Sequence, residues 1–225
     1  MAYKINEQSR LNMRTKIING AKKYANDLIN KDFMVICEEG SIHSVRFFKK
    51  DFQHLTGLLS DLSENDFFTR CLNGTISVQN ILEDQKYNIA TLKDKTRKIE
   101  QINESVYGNT ANSLFMVNLH TNTADYPVAI RNKDLSMCVG FREKSNRART
   151  LRKYANSGDA DNQLEIIAIF AKPMGTGLYT EKVYLKDAET LFNVAANVVE
   201  KMTDDVKQYL TPAQECPDDL PKKVS

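Results

Sequence analysis

The sequence predicts an α+β fold in which N-terminal helices come first, an antiparallel sheet follows and a C-terminal helix closes the chain. Three observations support this prediction: apolar residues recur at helical spacing early in the chain, strand-sized apolar runs dominate the second half, and a capped helical pattern comes last. Because helices and strands are segregated rather than alternating, the order favours an antiparallel sheet over βαβ units.

The first helix is predicted over residues 7–30. Apolar residues recur there at the spacing of one helical face. The predicted apolar face consists of Leu11, Ile18, Ala21, Ala25 and Leu28.

A hairpin and a second helix follow. Two strand-like runs, 33–37 and 42–48, flank a turn that contains glycine, which predicts a β-hairpin. Ser63 and Asp66 have capping-box spacing, and Gly74 is a natural stop, so a helix is expected between them.

A third helix is predicted over 89–107, after which the apolar period becomes strand-like. The predicted strands are 114–119, 128–130, 135–141, 164–172 and 178–185. Asp187 then caps a final helix, whose expected core positions are Leu191, Ala195, Val198, Met202 and Val206.

Length and composition favour one domain over 1–225, with a polar tail at 211–225. Of its 225 residues, 41% are hydrophobic and 27% charged, which is ordinary globular usage. No secretion signal or membrane span is expected, because no apolar run approaches about 18 residues. Four scattered cysteines, Cys37, Cys71, Cys138 and Cys216, predict reduced thiols and a cytoplasmic protein. The net charge of +2 neither favours nor excludes a polyanionic partner.

The sequence contains no nucleotide-binding, zinc-protease or serine-hydrolase motif. Its histidines, His43, His54 and His120, are too scattered for a short-range metal motif. We therefore predict neither a metal nor another cofactor.

His54 is the first candidate for chemistry. It lies in a segment with nearby lysines, a hydroxyl at Thr56 and a terminal Gly57. A histidine in this setting suits acid–base work on a phosphate. The competing interpretation is that His54 hydrogen-bonds the backbone and stiffens a turn.

The second candidate is the basic stretch 141–154, which holds a single acid, Glu143. Guanidinium groups pair phosphate oxygens bidentately, so the stretch suits nucleic-acid binding. A solvated loop between strands is the competing interpretation. Its basic residues are Arg142, Lys144, Arg147, Arg149, Arg152 and Lys153. Lys172, at the end of an apolar run, is a further candidate cation for a site, although its position alone is uninformative.

The block Phe52-x-His54-Leu55-Thr56-Gly57 resembles the signature of a phage-associated nuclease family related to barnase, EndoU, colicin nucleases and RelE. Asp66-Phe67-Phe68 and the run from Ile166 to Lys172 also look like this family, and the resemblance spans about 33–185. It implies metal-independent RNA cleavage in which a 2′-hydroxyl attacks the adjacent phosphate. His54 would then be the base or acid, Thr56 would position the phosphate, and Lys172 or an arginine would stabilise charge. The basic stretch would grip the RNA backbone.

Two hypotheses follow. The first is a ribonuclease-like effector of a phage or mobile element, acting on RNA in a bacterial cytoplasm. The alternative is a non-catalytic protein on the same scaffold that engages a host protein or nucleoprotein complex, for example to block defence. A host or neutralising protein partner fits either hypothesis, and the sequence indicates no oligomeric state.

Overall fold

The computed structural model describes residues 5–82, 86–108, 112–156 and 158–210. An N-terminal helical layer packs on one face of an antiparallel sheet, and a C-terminal helical segment packs against the other face. The predicted α+β fold and its order of elements are confirmed.

The structure contains α-helices, one π-helical turn and several short 3₁₀ turns. The α-helices are α1 (Glu7–Lys23), α2 (Phe52–Thr56), α3 (Glu64–Leu72), α4 (Ile89–Ile99), α5 (Glu104–Tyr107), α6 (Ala188–Ala195) and α7 (Asp204–Lys207). A π-helical turn at Tyr24–Leu28 continues α1. The 3₁₀ turns are Lys49–Asp51, Val78–Asn80, Tyr154–Asn156 and Ala196–Lys201.

The sheet is built around one long strand. The strands are β1 (Lys31–Cys37), β2 (Ile42–Arg46), β3 (Ser113–His120), β4 (Asp125–Asn132), β5 (Met137–Phe141), β6 (Ala148–Lys153), β7 (Asp159–Pro173) and β8 (Glu181–Leu185). They run in the order β2-β1-β7-β3-β4-β5-β6, and β8 also pairs with β7. The first half of β7 pairs with β3 and the second half with β1, so β7 joins the two parts of the sheet.

Each face of the sheet buries its own core. Phe33 and Val35 of β1 face the helical layer, whereas Met34 and Ile36 face the C-terminal segment. This alternation follows from the two-residue period of a strand. The C-terminal segment covers that second face with every core position predicted for it: Leu191, Ala195, Val198, Met202 and Val206.

Tyr24 is the centre of the helical layer. Its ring contacts Phe47, Phe52 and Phe68 edge-on at centroid distances of 5.9, 5.2 and 6.0 Å. Its hydroxyl donates a hydrogen bond to the Phe48 carbonyl at 3.1 Å. One fully buried side chain thus ties the end of α1 to β2, α2 and α3.

The helix predicted over 7–30 is confirmed, and its predicted apolar face is right at Ala21 and Leu28, which are core residues, and at Ile18 and Ala25, which pack against the core. The prediction is wrong at Leu11. Leu11 is 40% exposed, whereas Met13, Ile17 and Gly20 are buried. A Cβ on Gly20 would lie 2.8 Å from the carbonyl oxygen of Ile99. The close approach of α1 and α4 at this glycine therefore selects the buried face.

The predicted hairpin and the helix begun by Ser63 are confirmed. The helix predicted over 89–107 is divided into α4 and α5, because a turn redirects the chain. Tyr107 then packs edge-on against Phe33 at 5.9 Å.

Strand β6 is the main element that the sequence pattern did not predict. The stretch expected to be a phosphate-binding segment or loop pairs with β5 as an edge strand. Charged side chains are common on edge strands because they discourage pairing with other chains. The basic composition thus concealed a strand.

Cys37, Cys71 and Cys138 are buried and form no disulfide with one another, as predicted, and Cys216 lies outside the described residues together with the tail 211–225. Burial raises the pKa of Cys37 and Cys71 to about 12. Among the described helices none has the length and apolarity that crossing a membrane requires. The single domain over 1–225 stays a prediction.

The sheet curls until its two edge strands meet. The Arg46 N–H at the end of β2 donates to the Asn146 carbonyl just before β6 at 2.8 Å. Beside this contact Arg147 makes a bidentate ion pair with Asp51, with Nε 3.1 Å from Oδ2. The side chains of Arg147 and Asp51 are only 17% and 5% exposed. The Arg147–Asp51 pair therefore fastens the start of α2 to β6.

We expect Arg147→Met to lower the free energy of unfolding by about 3–5 kcal/mol, because it leaves the Asp51 carboxylate buried without its partner. Adding Asp51→Leu should restore most of the loss. Urea unfolding followed by circular dichroism measures both. The control is Arg97→Met, because the Arg97 side chain is 61% exposed and its ion pair with Asp94 should contribute less than about 1 kcal/mol. Equal losses in Arg147→Met and the control would contradict a fastening role.

Candidate functional site

The block at 52–57 forms a short helical turn that ends in a left-handed glycine. His54 is half-buried, whereas Thr56 is fully buried. The Thr56 hydroxyl donates to the Gln53 carbonyl at 2.6 Å and accepts from the Leu58 N–H at 3.1 Å. Because the turn occupies this hydroxyl, the prediction that Thr56 positions a phosphate is corrected.

Gly57 gives the block a second role, which is to make room for a lysine. Its φ is 73°, in the left-handed region that favours glycine. A Cβ at this position would lie 2.6 Å from Cδ of Lys95. The turn thus supports the Lys95 side chain as it passes from α4 towards β6.

Lys95 is an amine held in an apolar, cationic environment. It is 6% exposed, and its Nζ donates to the Leu151 carbonyl at 2.6 Å and lies 5.0 Å from the Tyr87 ring centre. Burial, and next the nearby Arg152 guanidinium, lower the pKa of Lys95 to about 8. An amine with this pKa exchanges protons readily near neutral pH.

Lys95 lines an open cavity of about 1120 Å³, which we call the basic cleft. The cleft lies between α4, the β3–β4 turn and the end of β6. Its cations are Lys86, Lys95, Arg131, Arg152 and Lys153, and Tyr87, Thr121 and Thr123 add a ring and two hydroxyls. Asp94 also lines the cleft, but its carboxylate is paired with Arg97 and Lys98.

Two arginines flank Cys138 on one face of the sheet. Arg131 pairs with Cys138 across β4–β5, and Cys138 pairs with Arg152 across β5–β6, so the three form one row. Arg131 donates to the Tyr154 carbonyl at 3.3 Å, and Arg152 donates to the Thr123 hydroxyl. Within the described residues the Nε atoms of both guanidinium groups are buried without a hydrogen-bond partner. Such donors are costly to leave unpaired, and it is the positive charge of the cleft residues that favours an anionic ligand.

The basic stretch is therefore divided rather than acting as one loop. Arg147 is committed to Asp51, which corrects its prediction as a nucleic-acid contact. Arg152 and Lys153 line the basic cleft. Lys144 is exposed in the β5–β6 turn. Arg142 and Arg149 line a second cavity.

That second cavity, of about 530 Å³, is the flanking cavity. Arg142 and Arg149 line it together with Tyr126. His120 lies at its edge, with Nδ1 and Nε2 each 3.2 Å from the carboxylates of Asp125 and Asp161, respectively. Those hydrogen bonds, first to Asp125 and then to Asp161, raise the pKa of His120.

The predicted catalytic set of His54, Thr56 and Lys172 is not brought together. Lys172 donates to the Gly177 carbonyl at 3.3 Å and lies 4.9 Å from the ring of Tyr179, which belongs to the core under the C-terminal segment. The neighbours of His54 in α2 are buried on the opposite face of the sheet. His54 also lines neither cavity. Lys172 is therefore separated from His54 by the sheet.

Lys95, Tyr87 and Arg131 are cleft residues that the sequence analysis missed. One signal was present: Leu92, Lys95 and Ile99 share a helical face, so a lysine sat on an apolar stripe. Arg131 gave no local signal, because strand pairing alone places it beside Arg152.

Residues 16–188 match the family model described as phage-Barnase-EndoU-ColicinE5/D-RelE like nuclease4. The match covers more than half of the chain and includes every strand of the sheet. It confirms the family resemblance. No curated protein and no solved structure matches the chain. In the part of the chain that the structure describes, no group of three or more His, Cys, Asp or Glu side chains is placed to hold a metal ion.

Gly57→Ala tests the contact between the turn and Lys95. We expect it to destabilise the fold by about 2–4 kcal/mol, since it adds a steric clash to the cost of a left-handed alanine. The matched control is Gly74→Ala, because Gly74 has φ +71° and no atom within 4 Å of its added Cβ. The control should cost about 1 kcal/mol by thermal unfolding. If both variants lost the same free energy of unfolding, the Lys95 side chain would be able to move away from the added methyl group without cost.

The two carboxylates should make His120 titrate above its ordinary pKa of 6.5. Because a raised histidine pKa stabilises the protonated folded state, this stabilisation is complete below the unfolded pKa and is lost as the pH rises through the folded pKa. NMR titration of the imidazole measures the shift, and Asp125→Asn should bring the pKa back towards 6.5. His43 is an internal control, because burial lowers its pKa and it should titrate below 6.5. A His120 pKa unaffected by Asp125→Asn would rule out the pairing.

Proposed function

The chain belongs to the family of phage-Barnase-EndoU-ColicinE5/D-RelE like nuclease4, and from this membership we propose that it cleaves RNA in the basic cleft without a metal ion. The reaction is attack of a ribose 2′-hydroxyl on the adjacent phosphate. One observation carries the proposal: Lys95, an amine with a pKa of about 8, is buried beside an arginine in an open cationic cleft.

Neutral Lys95 accepts the proton of the 2′-hydroxyl. The 2′-oxygen then bonds to phosphorus and the bond from phosphorus to the 5′-oxygen breaks. The 5′-oxygen takes a proton from water, and the products carry a 2′,3′-cyclic phosphate and a 5′-hydroxyl. Arg131 and Arg152 bind the non-bridging oxygens and stabilise the charge that develops on them.

Other cleft residues hold the strand. Tyr87 is half-buried and offers a ring face on which a base can stack, and Lys153 is exposed for backbone contact. Lys144, exposed in the neighbouring turn, adds charge close to the strand. Because the reaction uses the 2′-hydroxyl, the substrate is RNA rather than DNA.

This proposal transfers the proton-transfer role from His54 to Lys95. The turn that contains His54 supports the lysine through Gly57, which explains the block without placing its side chains at the phosphate. Lys172 has no part in the reaction, since the sheet separates it from the α2 turn and its contacts are with Gly177 and Tyr179.

We place this activity in a phage or mobile-element effector acting on cytoplasmic RNA of a bacterial host. Support comes from the phage-associated family and from the three described cysteines, which are buried and form no disulfide, as suits a reducing compartment.

The test is cleavage of single-stranded RNA by the purified protein in EDTA. We expect Lys95→Gln to lower kcat/KM by about 10²–10⁴-fold, whereas His54→Ala should lower it far less. The kcat/KM of the parent should rise with pH and level off above about 8, because the neutral amine is the base. Lys95→Gln should lose this pH dependence.

Lys98→Gln is the matched control, because Lys98 is a buried lysine of the same helix that pairs with Asp94 at 3.0 Å and does not line the cleft. If His54→Ala abolished cleavage while Lys95→Gln kept it, the catalytic residue would be His54 of the α2 turn rather than Lys95. RNA binding without cleavage by the parent would favour the non-catalytic binding protein.

A further inference from the structure

The flanking cavity adjoins the basic cleft on one face of the sheet. Thr150 lines the cleft and Tyr126 lines the flanking cavity. A Cβ on Gly140 would lie 2.8 Å from Cγ2 of Thr150 and 3.0 Å from Cγ of Tyr126. The two side chains therefore meet over one glycine and form the wall between the cavities.

Strand β6 supplies a cation to each cavity. Arg152 lines the cleft and Arg149 lines the flanking cavity, three residues earlier. A β-bulge lies at Arg149, between Ala148 and Thr150, so at about 3.3 Å per residue the Cα atoms of the two arginines are at most about 10 Å apart along the edge of the sheet. This spacing suits successive phosphates of an extended single strand lying along β6.

The arginines of the flanking cavity have charge to offer a ligand. Within the described residues neither Arg142 nor Arg149 makes a side-chain hydrogen bond or ion pair. Burial, and next the Arg142 charge, lower the pKa of Arg149, which shows that the two cations repel each other. Asp125 and Glu143 also line the cavity, but the Asp125 carboxylate is held by His120 and Glu143 is exposed.

We infer that Arg142 and Arg149 bind a flanking phosphate of the same RNA strand whose scissile phosphate lies in the basic cleft. This inference rests on the proposed function and extends it: the substrate is a strand of several nucleotides rather than a dinucleotide. A strand is the favoured occupant because it brings a phosphate to each cavity at once, whereas a free anion would fill either cavity independently.

The experiment measures binding by fluorescence anisotropy at several salt concentrations. The probes are a nine-nucleotide RNA with a 2′-deoxy scissile position, which cannot be cut there, and a dinucleotide of the same kind. We expect R142Q/R149Q to bind the longer RNA about tenfold more weakly than the parent does, and to bind the dinucleotide with the affinity of the parent. Its salt slope should fall by about 0.7, the value for one phosphate contact on a single strand.

A methylphosphonate placed at each flanking position in turn locates the contact. At one position the methylphosphonate should weaken the affinity of the parent for RNA by about tenfold. It should not weaken the affinity of R142Q/R149Q any further, because the same interaction is already absent. The matched control is R70Q, since Arg70 is an exposed arginine of α3 that lines neither cavity. It should bind both RNAs like the parent.

Equal weakening of R142Q/R149Q on both RNA lengths, or no weakening on either, would overturn the inference. So would binding of poly-glutamate but not RNA through the two arginines, because the occupant would then be an acidic protein. Failure of the proposed function looks different: the parent would bind the longer RNA through this pair but leave the cleavable RNA intact. That result would keep the flanking site while removing catalysis.

Discussion

The buried pair of Asp51 and Arg147 is the constraint on which the site depends. It lies where the curled sheet brings its two edges together, and it joins the start of α2 to β6. Two cations of the basic cleft depend on those two elements: the Gly57 turn supports Lys95 from one side, and β6 presents Arg152 from the other. A charge pair this well buried is costly to break, so it holds the cleft in one geometry.

Local chemistry accounts for what the sequence could predict. The side chains of the capping residues Ser63 and Asp187 accept backbone N–H hydrogen bonds at 3.1 and 2.6 Å, so the starts of both helices could be predicted from the sequence. The five core positions of the C-terminal segment were also readable, since apolar spacing is a local property. Helix α1 shows the limit, because its buried face was decided by the approach of Ile99 to Gly20, far apart in sequence.

The site was less predictable for the same reason. Strand β6 is stabilised by pairing with β5 and by Asp51, neither of which can be read from a run of arginines. The family resemblance implied that Thr56 positions a phosphate, yet in the structure its hydroxyl both donates and accepts a hydrogen bond within the turn. Cations in a site and cations in an ion pair look identical until the fold decides their partners.

The electrostatics of the cleft favour the proposed reaction in a specific way. Burial and the Arg152 charge lower the pKa of Lys95 to about 8, so a neutral amine is available. A phosphate bound by Arg131 and Arg152 would bring negative charge beside that amine and increase its affinity for a proton. In the proposed reaction this charge would grow as the 2′-oxygen attacks, and Lys95 would become a stronger base when the proton must move. The two arginines would then stabilise the developing charge directly and promote proton transfer to Lys95.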